Sequence, residues 1–459
     1  MTRRYGAIVI GTGQSGPPLA ARLADEGIKT AVIERKLFGG TCVNVGCIPT
    51  KTLVASARAA HVARRAADFG VKIKGPVAVD MKKVKKRKDG VVRESNEGVA
   101  SWMKDTAGIT VYEGHGRFTG PHTVSVNGKV LEAERIFINV GARALVPDMP
   151  GVKDVPYLTN STMMGVDFLP KHLVIIGGSY IGLEFGQMYR RFGSRVTVIE
   201  KGDRLIPRED PDISAAVQEI LEGEGIQIRL NAECISMAKR GQQVAVKLDC
   251  AENAKRVIGS HLLLAVGRVP NTHDLGLDLA GVKVDERGYI VVDDELRTSV
   301  PGIWAIGDCN GRGAFTHTSY NDYEIVAANL LDGGKRRVSD RITTYGLFID
   351  PPLGRAGMNE REARATGKKL LTGTLAMESV GRARERSETQ GFMKLLVDAE
   401  SERILGAAML GIEADEIVQA ILDLMYAGQS YKLIERAMYI HPTVSEYLPT
   451  LVGNLEPLS

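Results

Sequence analysis

The chain has 459 residues, 44% of them hydrophobic and 25% charged, which is the composition of an ordinary globular protein of about three domains. Its net charge of +4, from 59 basic and 55 acidic side chains, gives no reason to expect a nucleic-acid partner. No apolar run reaches the roughly 18 residues of a membrane span, and the N-terminal run is too short for a signal peptide, so we expect a cytoplasmic protein without a membrane partner.

A strand, a glycine-rich turn, a helix and a second strand open the chain. The strands are Tyr5–Ile10 and Ile28–Ile33, and the second ends at an acidic residue. Glycines at three positions permit a tight turn, close approach of a pyrophosphate and close packing of the helix, whose free N–H groups would face the phosphates. The acid is placed to accept hydrogen bonds from a ribose. The dinucleotide-binding candidates of this unit are Gly11, Gly13, Gly16 and Glu34.

The stretch Gly39–Lys51 holds Cys42 and Cys47, five residues apart at a predicted helix start. In a reducing compartment such a pair is more typical of catalysis or metal binding than of a structural disulfide. The helix N-terminus and Lys51 would stabilise a thiolate. A zinc site needs about four ligands, usually in closely spaced pairs, and the sequence has no second pair, so we expect no metal. The other cysteines are expected to be buried as small hydrophobic residues, and they are Cys234, Cys250 and Cys309.

A helical region is expected from 47 to 105, and it contains the basic run Lys82–Lys88. No aromatic residue interleaves this run, so a solvated helix face explains it better than a nucleic-acid patch. Short strands follow, with a turn signal at Val126–Lys129.

The strand–turn–helix–strand pattern recurs between Leu173 and Glu200. Ser179 stands where the first unit has its middle glycine, and a side chain this small still permits close approach. Glu200 ends the second strand, where an acid favours a 2′-hydroxyl over a 2′-phosphate and therefore NADH over NADPH. Lys201 and Arg204 lie nearby and soften that preference, so both nucleotides stay open. The candidates of this unit are Gly177, Ser179, Gly182 and Glu200.

Two complete units of this kind predict an α/β protein with two Rossmann-like dinucleotide-binding domains. Further strands lead to Gly267 and to Gly307-Asp308. From about residue 341 the hydrophobic pattern predicts strands that alternate with amphipathic helices. Domain boundaries are therefore expected near residues 150, 270 and 340.

Near the end of the chain, His441-Pro442 is followed by Glu446. A lone histidine is more often structural than catalytic. Here the proline fixes the local backbone, and a glutamate five positions later can orient the imidazole for acid–base work. From these residues alone both interpretations remain open.

The motif Gly-Gly-Thr-Cys-x₄-Cys-Ile-Pro-Thr-Lys resembles the active-site signature of class I pyridine nucleotide–disulfide oxidoreductases, and the resemblance extends over essentially the whole chain. It implies an FAD-binding domain in two parts, 1–149 and 271–340, an NAD(P)-binding domain at 150–270 and an α+β dimerisation domain at 341–459. The implied cofactors are FAD and NADH or NADPH. The implied assembly is a homodimer, in which His441, oriented by Glu446, shuttles a proton across the interface.

The resemblance also implies roles for single residues. Cys47 would be the thiolate against the flavin, and Cys42 would attack the substrate. Lys51 would lie near the flavin and pair with Glu184, and Asp308 would bind the ribitol of FAD. Further cofactor contacts are expected at Thr41, at Gly141 in the crossover between domains, and at Gly267.

The substrate is expected to be a small oxidant or a disulfide, and several alternatives stay open. The sequence has no cysteine after Cys309, whereas typical mercuric reductases and high-molecular-weight thioredoxin reductases carry a C-terminal redox pair. Dihydrolipoamide dehydrogenase, a metal-ion reductase and a redox-sensing flavoprotein without turnover remain candidates. Three segments look more like bacterial flavoproteins of reactive-chlorine resistance, similar to hypothiocyanous acid reductases, and these segments are Phe315–Tyr323, Pro351–Met358 and Arg382–Arg384.

Overall fold

The computed structural model describes residues 2–233, 235–248 and 256–458. Cys234 and Cys250, which were expected to be buried, lie outside these residues. Cys309 is fully buried, which confirms the third expectation of that group.

The N-terminal part of the chain folds around a seven-stranded sheet, for which it supplies six strands. In chain order its elements are β1 (Arg3–Ile10), α1 (Gly16–Asp25), β2 (Thr30–Glu34), α2 (Gly40–Val45), α3 (Cys47–Arg64), α4 (Met81–Asp105), β3 (Ile109–Glu113), β4 (Arg117–Gly120), β5 (Thr123–Val126), β6 (Lys129–Ile138) and β7 (Ala142–Ala144).

The middle of the chain forms a second parallel sheet, a three-stranded antiparallel sheet and the elements that return to the first sheet. Its elements are α5 (Asn160–Met163), β8 (His172–Ile176), α6 (Tyr180–Phe192), β9 (Arg195–Ile199), α7 (Pro211–Gly223), β10 (Gln227–Arg229), β11 (Ser236–Arg240), β12 (Gln243–Lys247), β13 (Arg256–Gly259), β14 (His261–Leu264), β15 (Arg268–Pro270), α8 (Leu277–Ala280), β16 (Ile303–Ala305) and α9 (Thr316–Leu331).

The last part forms a six-stranded antiparallel sheet with helices, in the order β17-β18-β21-β20-β19-β22. Its elements are β17 (Thr344–Leu347), β18 (Leu353–Gly357), α10 (Glu360–Ala365), β19 (Leu370–Ala376), α11 (Gly381–Glu385), β20 (Phe392–Asp398), β21 (Ile404–Leu410), α12 (Ala414–Tyr426), α13 (Lys432–Arg436), α14 (Leu448–Gly453) and β22 (Glu456–Pro457).

The first sheet has the order β3-β2-β1-β6-β5-β4, and β16 pairs in parallel with β6. Strand β1 lies between parallel neighbours, and its residues Ala7–Val9 are fully buried. A continuous apolar run is what a strand covered on both faces requires. The parallel strands β2, β1, β6 and β16 end at the same edge, so the segments that follow them meet there.

The second sheet repeats this arrangement with the parallel order β10-β9-β8-β14. The two sheets, with the predicted glycine turns between strand and helix, confirm the α/β class and the two Rossmann-like units. The turn at Val126–Lys129 is also confirmed. Asn127 and Gly128 have φ values of 48° and 73°, the positive values that a two-residue hairpin turn of type I′ requires.

Two expectations for the helical region need correction. Residues 70–80 are not helical, since Gly70 and Gly75 adopt positive φ and Pro76 follows, so the helices end before this loop and resume at Met81. The basic run is a solvated face of α4 except at Lys88, which is buried and donates from Nζ to the carbonyl of Met164 at 2.8 Å. No helix within the described ranges is both long and apolar enough to cross a membrane.

Candidate active site

The first glycine turn lies at the edge where the parallel strands end, and Asn139, which directly follows β6, organises it. Its Oδ1 accepts the N–H of Gly16 at 3.0 Å, and its Nδ2 donates to the carbonyl of Ile306 at 3.0 Å. A Cβ atom added at Gly13 would lie 2.9 Å from Asn139 Oδ1, and one added at Gly11 would lie 2.3 Å from the Asn139 carbonyl. The glycines are therefore needed for close packing as well as for phosphate approach. No motif in the sequence marks Asn139 for this role.

The first turn of α1 offers fewer donors than expected. Gly16 N is already bonded to Asn139, and Pro17 and Pro18 have no N–H. The positive end of the helix dipole remains in place, but the backbone donors left for a phosphate lie in the turn before the helix. Ser15 does not replace them, because its hydroxyl bonds to Ser319 instead.

Glu34 and Glu200 make the same pair of backbone contacts in the two units. Glu34 accepts the N–H of Thr12 at 3.0 Å and of Lys36 at 2.8 Å. Glu200 accepts the N–H of Gly178 at 2.6 Å and of Gly202 at 2.9 Å. Each glutamate thus joins its own strand end to the glycine turn 22 residues earlier, so both carboxylates lie beside their turns.

The second turn is as tightly packed as the first. A Cβ atom at Gly182 would lie 2.0 Å from the carbonyl of Gly177, whose own φ is 114°. Ser179 is the N-cap of α6 but makes no side-chain capping bond. The first N–H groups of α6 therefore remain available for an anionic ligand.

The remaining predicted cofactor residues lie around the crossover. Strands β7 and β15 pair antiparallel, with Gly141 and Gly267 just before them at φ values of 63° and 134°. A Cβ atom at Gly141 would meet nothing within 4 Å. Asp308, after β16, pairs with Arg268 at 3.1 Å, and burial raises the pKa of its carboxyl although Arg268 opposes this.

The cysteine pair spans a break between two helices. Cys42 lies in α2, Gly46 interrupts the helix, and Cys47 begins α3. Gly46 is required there, because a Cβ atom would lie 2.8 Å from the carbonyl of Thr41. Both cysteines are free thiols, and each shifts the pKa of the other.

The surroundings of Cys47 favour its thiolate. A hydrogen bond from Cys42 is the largest cause that lowers the pKa of Cys47 to about 6. Thr316 and Lys51 act in the same direction, whereas burial and Glu184 oppose them. The same thiol–thiol bond, together with burial, raises the pKa of Cys42. The first proton therefore leaves Cys47, and Cys42 needs an external base to lose its own.

Iodoacetamide should alkylate Cys47 of the reduced protein at half of its plateau rate at about pH 6, the pKa given by its surroundings. Below that value the rate should fall about tenfold per pH unit, because only the thiolate reacts. The measurement is the pH dependence of labelling, followed by mass spectrometry of the peptide that carries Cys47. Glutathione serves as the control thiol, and a protein midpoint near the ordinary value of about 8.5 would contradict the geometry.

Lys51 and Glu184 form an ion pair beside the thiols. Lys51 Nζ donates to both oxygens of Glu184, at 2.8 and 2.9 Å. Glu184 lies on α6 and also accepts the N–H of Phe348 at 3.1 Å, and the Phe348 ring lies 4.4 Å from Lys51 Nζ. The pair thus joins helix α3 of the first unit to helix α6 of the second.

His441 and Glu446 lie together on an exposed segment. His441 Nδ1 is 2.8 Å from Glu446 Oε2, and the His441 side chain is 80% exposed while that of Glu446 is 17% exposed. Met438 is 99% exposed beside them and Ile440 80%. The pair therefore lies at the surface of its own subunit, next to two exposed apolar side chains.

The helical turn α11, which carries Arg382 and Arg384, lies beside this histidine segment. The N–H of Gly381 donates to the hydroxyl of Tyr447 at 3.0 Å, and Tyr447 directly follows Glu446. Arg382 pairs with Glu385 at 3.0 Å. The charge of Arg382 is therefore offset by Glu385 in this turn, which is joined to the histidine segment through Gly381 and Tyr447. Within the residues that the structure describes, no cluster of side chains could hold a metal ion.

Comparison with protein families gives two matches along the chain. The model described as pyridine nucleotide-disulphide oxidoreductase matches residues 5–322. The model of the dimerisation domain of the same family matches residues 343–452.

Individual relatives cover almost the whole chain. It is 38% identical to the probable pyridine nucleotide-disulfide oxidoreductase RclA of Escherichia coli (strain K12), over 98% of both chains. It is 34% identical to a dihydrolipoyl dehydrogenase of Thermus scotoductus, over 97% of this chain and 96% of the relative. It is 33% identical to a mercuric reductase of Streptomyces lividans, over 97% and 94%. The solved HOCl-induced flavoprotein disulfide reductase RclA from Escherichia coli matches with a TM-score of 0.89 and 37% identity, over 98% of this chain and 99% of that one.

Proposed function

The chain belongs to the pyridine nucleotide-disulphide oxidoreductase family, and we propose that its FAD-dependent reaction carries electrons from NADH to Cys42 and Cys47, which then reduce a small thiol-reactive oxidant. As a member of this family it is an enzyme that uses FAD and NAD(P)H. The dimerisation domain at residues 343–452 indicates a homodimer. The observation that carries the proposal is the placement of two free thiols, Cys42 and Cys47, at the break between α2 and α3, with the Lys51–Glu184 ion pair beside them.

The hydrogen-bonding groups near the two glycine turns fit FAD and a nicotinamide nucleotide. We assign FAD to the segments 1–149 and 271–340, with Glu34 and Asp308 as hydrogen-bonding groups for its hydroxyls. We assign the nicotinamide nucleotide to 150–270, where the free N–H groups of α6 lie beside Glu200. Further cofactor contacts are assigned to Gly11, Gly13, Gly16, Thr41, Gly141, Gly177, Ser179, Gly182 and Gly267. Bound FAD supplies two-electron transfer from NADH to the cysteine pair.

The cysteine chemistry balances with hypothiocyanous acid as oxidant. The Cys42 thiolate attacks the oxidised sulfur, the sulfur–oxygen bond breaks, and the oxygen leaves as water after it takes a proton. The Cys47 thiolate then attacks Cys42 Sγ, thiocyanate leaves and a Cys42–Cys47 disulfide forms. Two electrons from NADH restore both thiols, so each cycle consumes one NADH and one oxidant molecule.

We assign the proton transfers to His441, from the partner subunit. The hydrogen bond and burial that raise the pKa of Cys42 mean that this thiol needs a base. Glu446 holds Nδ1 of His441, so Nε2 is the atom left to take the proton and return it to the leaving group. The exposure of His441 within its own subunit is consistent with a role at the interface.

The oxidant is best tested with a panel. Steady-state NADH and NADPH oxidation should be measured with hypothiocyanous acid, lipoamide, oxidised glutathione, mercuric ion and cupric ion. One solved relative is described as an HOCl-induced flavoprotein disulfide reductase, which supports a thiol-reactive oxidant as the class of substrate, but a dihydrolipoyl dehydrogenase and a mercuric reductase also match over 97% of the chain. The proposal fails if lipoamide or mercuric ion is the efficient substrate. A redox sensor would consume one equivalent of NADH and stop.

The preference for NADH gives a separate prediction. Glu200→Ala is expected to lower the ratio of kcat/KM for NADH to that for NADPH by about tenfold or more, because the carboxylate that repels a 2′-phosphate is lost. Steady-state kinetics with both nucleotides measure the ratio, and Glu219→Ala on the outer part of α7 is the matched surface control. An unchanged ratio would remove Glu200 from nucleotide selection.

The low cysteine content, five in 459 residues, supports placing the enzyme in the cytoplasm.

A further inference from the structure

We propose that Thr316 is a further catalytic residue, whose hydroxyl donates a hydrogen bond to the Cys47 thiolate and holds that sulfur in its reactive position. Thr316 Oγ1 lies 3.1 Å from Cys47 Sγ. The inference rests on the proposed role of Cys47 as the thiolate beside the flavin. It adds a group to that site that lies 269 residues away in the chain.

The direction of this hydrogen bond follows from the charge state. A thiolate has no proton to donate, so the hydroxyl must be the donor whenever Cys47 is ionised. A hydrogen bond to the charged form favours that form. Thr316 is accordingly the second cause that lowers the pKa of Cys47, after the hydrogen bond from Cys42, whereas burial raises it.

Thr316 is held in place by the rest of α9. Asp322, two turns along the helix, is 2% exposed and accepts the N–H of Gly307 at 2.7 Å. Asp322 also pairs with Arg341. At the other end, the Phe315 ring stacks on Tyr345, with centroids 5.6 Å apart. Because the chain is anchored before Thr316 at Phe315 and after it at Asp322, the hydroxyl can be held against the sulfur at little entropic cost.

The other groups that face Cys47 are Cys42 on α2, Lys51 on its own helix and Glu184 on α6. His317 follows Thr316 but directs Nε2 to the carbonyl of Thr344 at 2.7 Å. A test must therefore remove the Thr316 hydroxyl while a hydrogen-bond donor stays at position 42 and both Lys51 and Glu184 stay unchanged.

The experiment uses the FAD-loaded dimer with Cys42→Ser as background, which keeps a hydroxyl donor at position 42 and prevents disulfide formation. In this background Thr316→Val should raise the midpoint of iodoacetamide labelling of Cys47 by about one pH unit, because a hydrogen bond to a charged group is lost at nearly constant volume. The long-wavelength thiolate–flavin absorbance should move with it. Thr316→Ser should restore the midpoint, since serine keeps the donor.

Thr318→Val is the matched control, because the Thr318 hydroxyl caps the same helix through Phe315 and is bonded at 2.7 Å to its carbonyl. An unchanged midpoint in Thr316→Val, or an equal shift in Thr318→Val, would overturn the proposal. The proposed function fails differently. If the background enzyme shows no thiolate–flavin band at any pH, Cys47 is not beside the flavin, whereas the labelling still measures the effect of Thr316 on its proton affinity.

Discussion

Cys42→Ser is expected to abolish steady-state reduction of the oxidant by NADH, with a loss on the order of 10³-fold or more, as for removal of an enzymatic nucleophile. NADH should still reduce the bound FAD, because the nucleotide sites do not include this thiol. Cys47 then has no partner for a disulfide and stays a thiolate at pH values above its own pKa. The variant should therefore show the thiolate–flavin absorbance without added reductant, whereas the wild-type enzyme needs reduction to develop it.

The measurements are stopped-flow reduction by NADH under anaerobic conditions and steady-state turnover with hypothiocyanous acid. Cys309→Ala is the control for loss of a thiol in general, since Cys309 is fully buried and bonded only to backbone carbonyls among the described residues. It should keep its turnover. A Cys42→Ser enzyme that reduces the oxidant at the wild-type rate would show that the attacking atom lies elsewhere.

His441→Ala is the second large effect that we expect. Oxidant turnover should fall by about 10²- to 10⁴-fold, the usual worth of a positioned acid–base group. Reduction of FAD by NADH should be unchanged, so the loss appears only in the half-reaction with the oxidant. The pH profile of the residual turnover should rise toward alkaline pH, because hydroxide can then take the Cys42 proton in place of the imidazole.

Mixed dimers test whether His441 acts across the interface. A subunit with Cys42→Ser keeps its histidine, and a subunit with His441→Ala keeps its thiols. If the histidine serves the partner subunit, a dimer of one of each has one complete site and activity appears on mixing. If it serves its own subunit, neither site is complete and the mixture stays inactive. Refolded or co-expressed mixtures, compared with each homodimer, give the answer.

The local parts of the structure were predictable from residue spacing. The glycine turns, the acids that end β2 and β9, and the hairpin at Asn127-Gly128 depend on backbone sterics and on hydrogen bonds within about 25 residues. Such short sequence patterns adopt the same local backbone conformation in different proteins. For this reason the two nucleotide units, and the family to which the chain belongs, could be inferred before the fold was known.

The contacts of the thiol site could not be predicted in this way. Asn139 has no motif that distinguishes it from other asparagines, and its role arises only because β6 ends beside β1. Thr316 is one hydroxyl among many until α9 brings it to Cys47. The basic run on α4 is a similar case. Its charge pattern predicts a solvated face and does not reveal that the Lys88 side chain is buried and bonds to the carbonyl of Met164.

The amino-acid sequence by itself determined the two dinucleotide-binding units and the spacing of the redox cysteines, because short-range sterics and chain connectivity suffice for both. The family resemblance led us to expect the Lys51–Glu184 pair, whereas only the tertiary structure placed the Thr316 hydroxyl beside Cys47. These contacts join residues 133 and 269 positions apart. Such contacts depend on how separate layers pack, and no local pattern carries that information. The reactivity of the thiols is set by that packing, through burial and through the donors it aims at them.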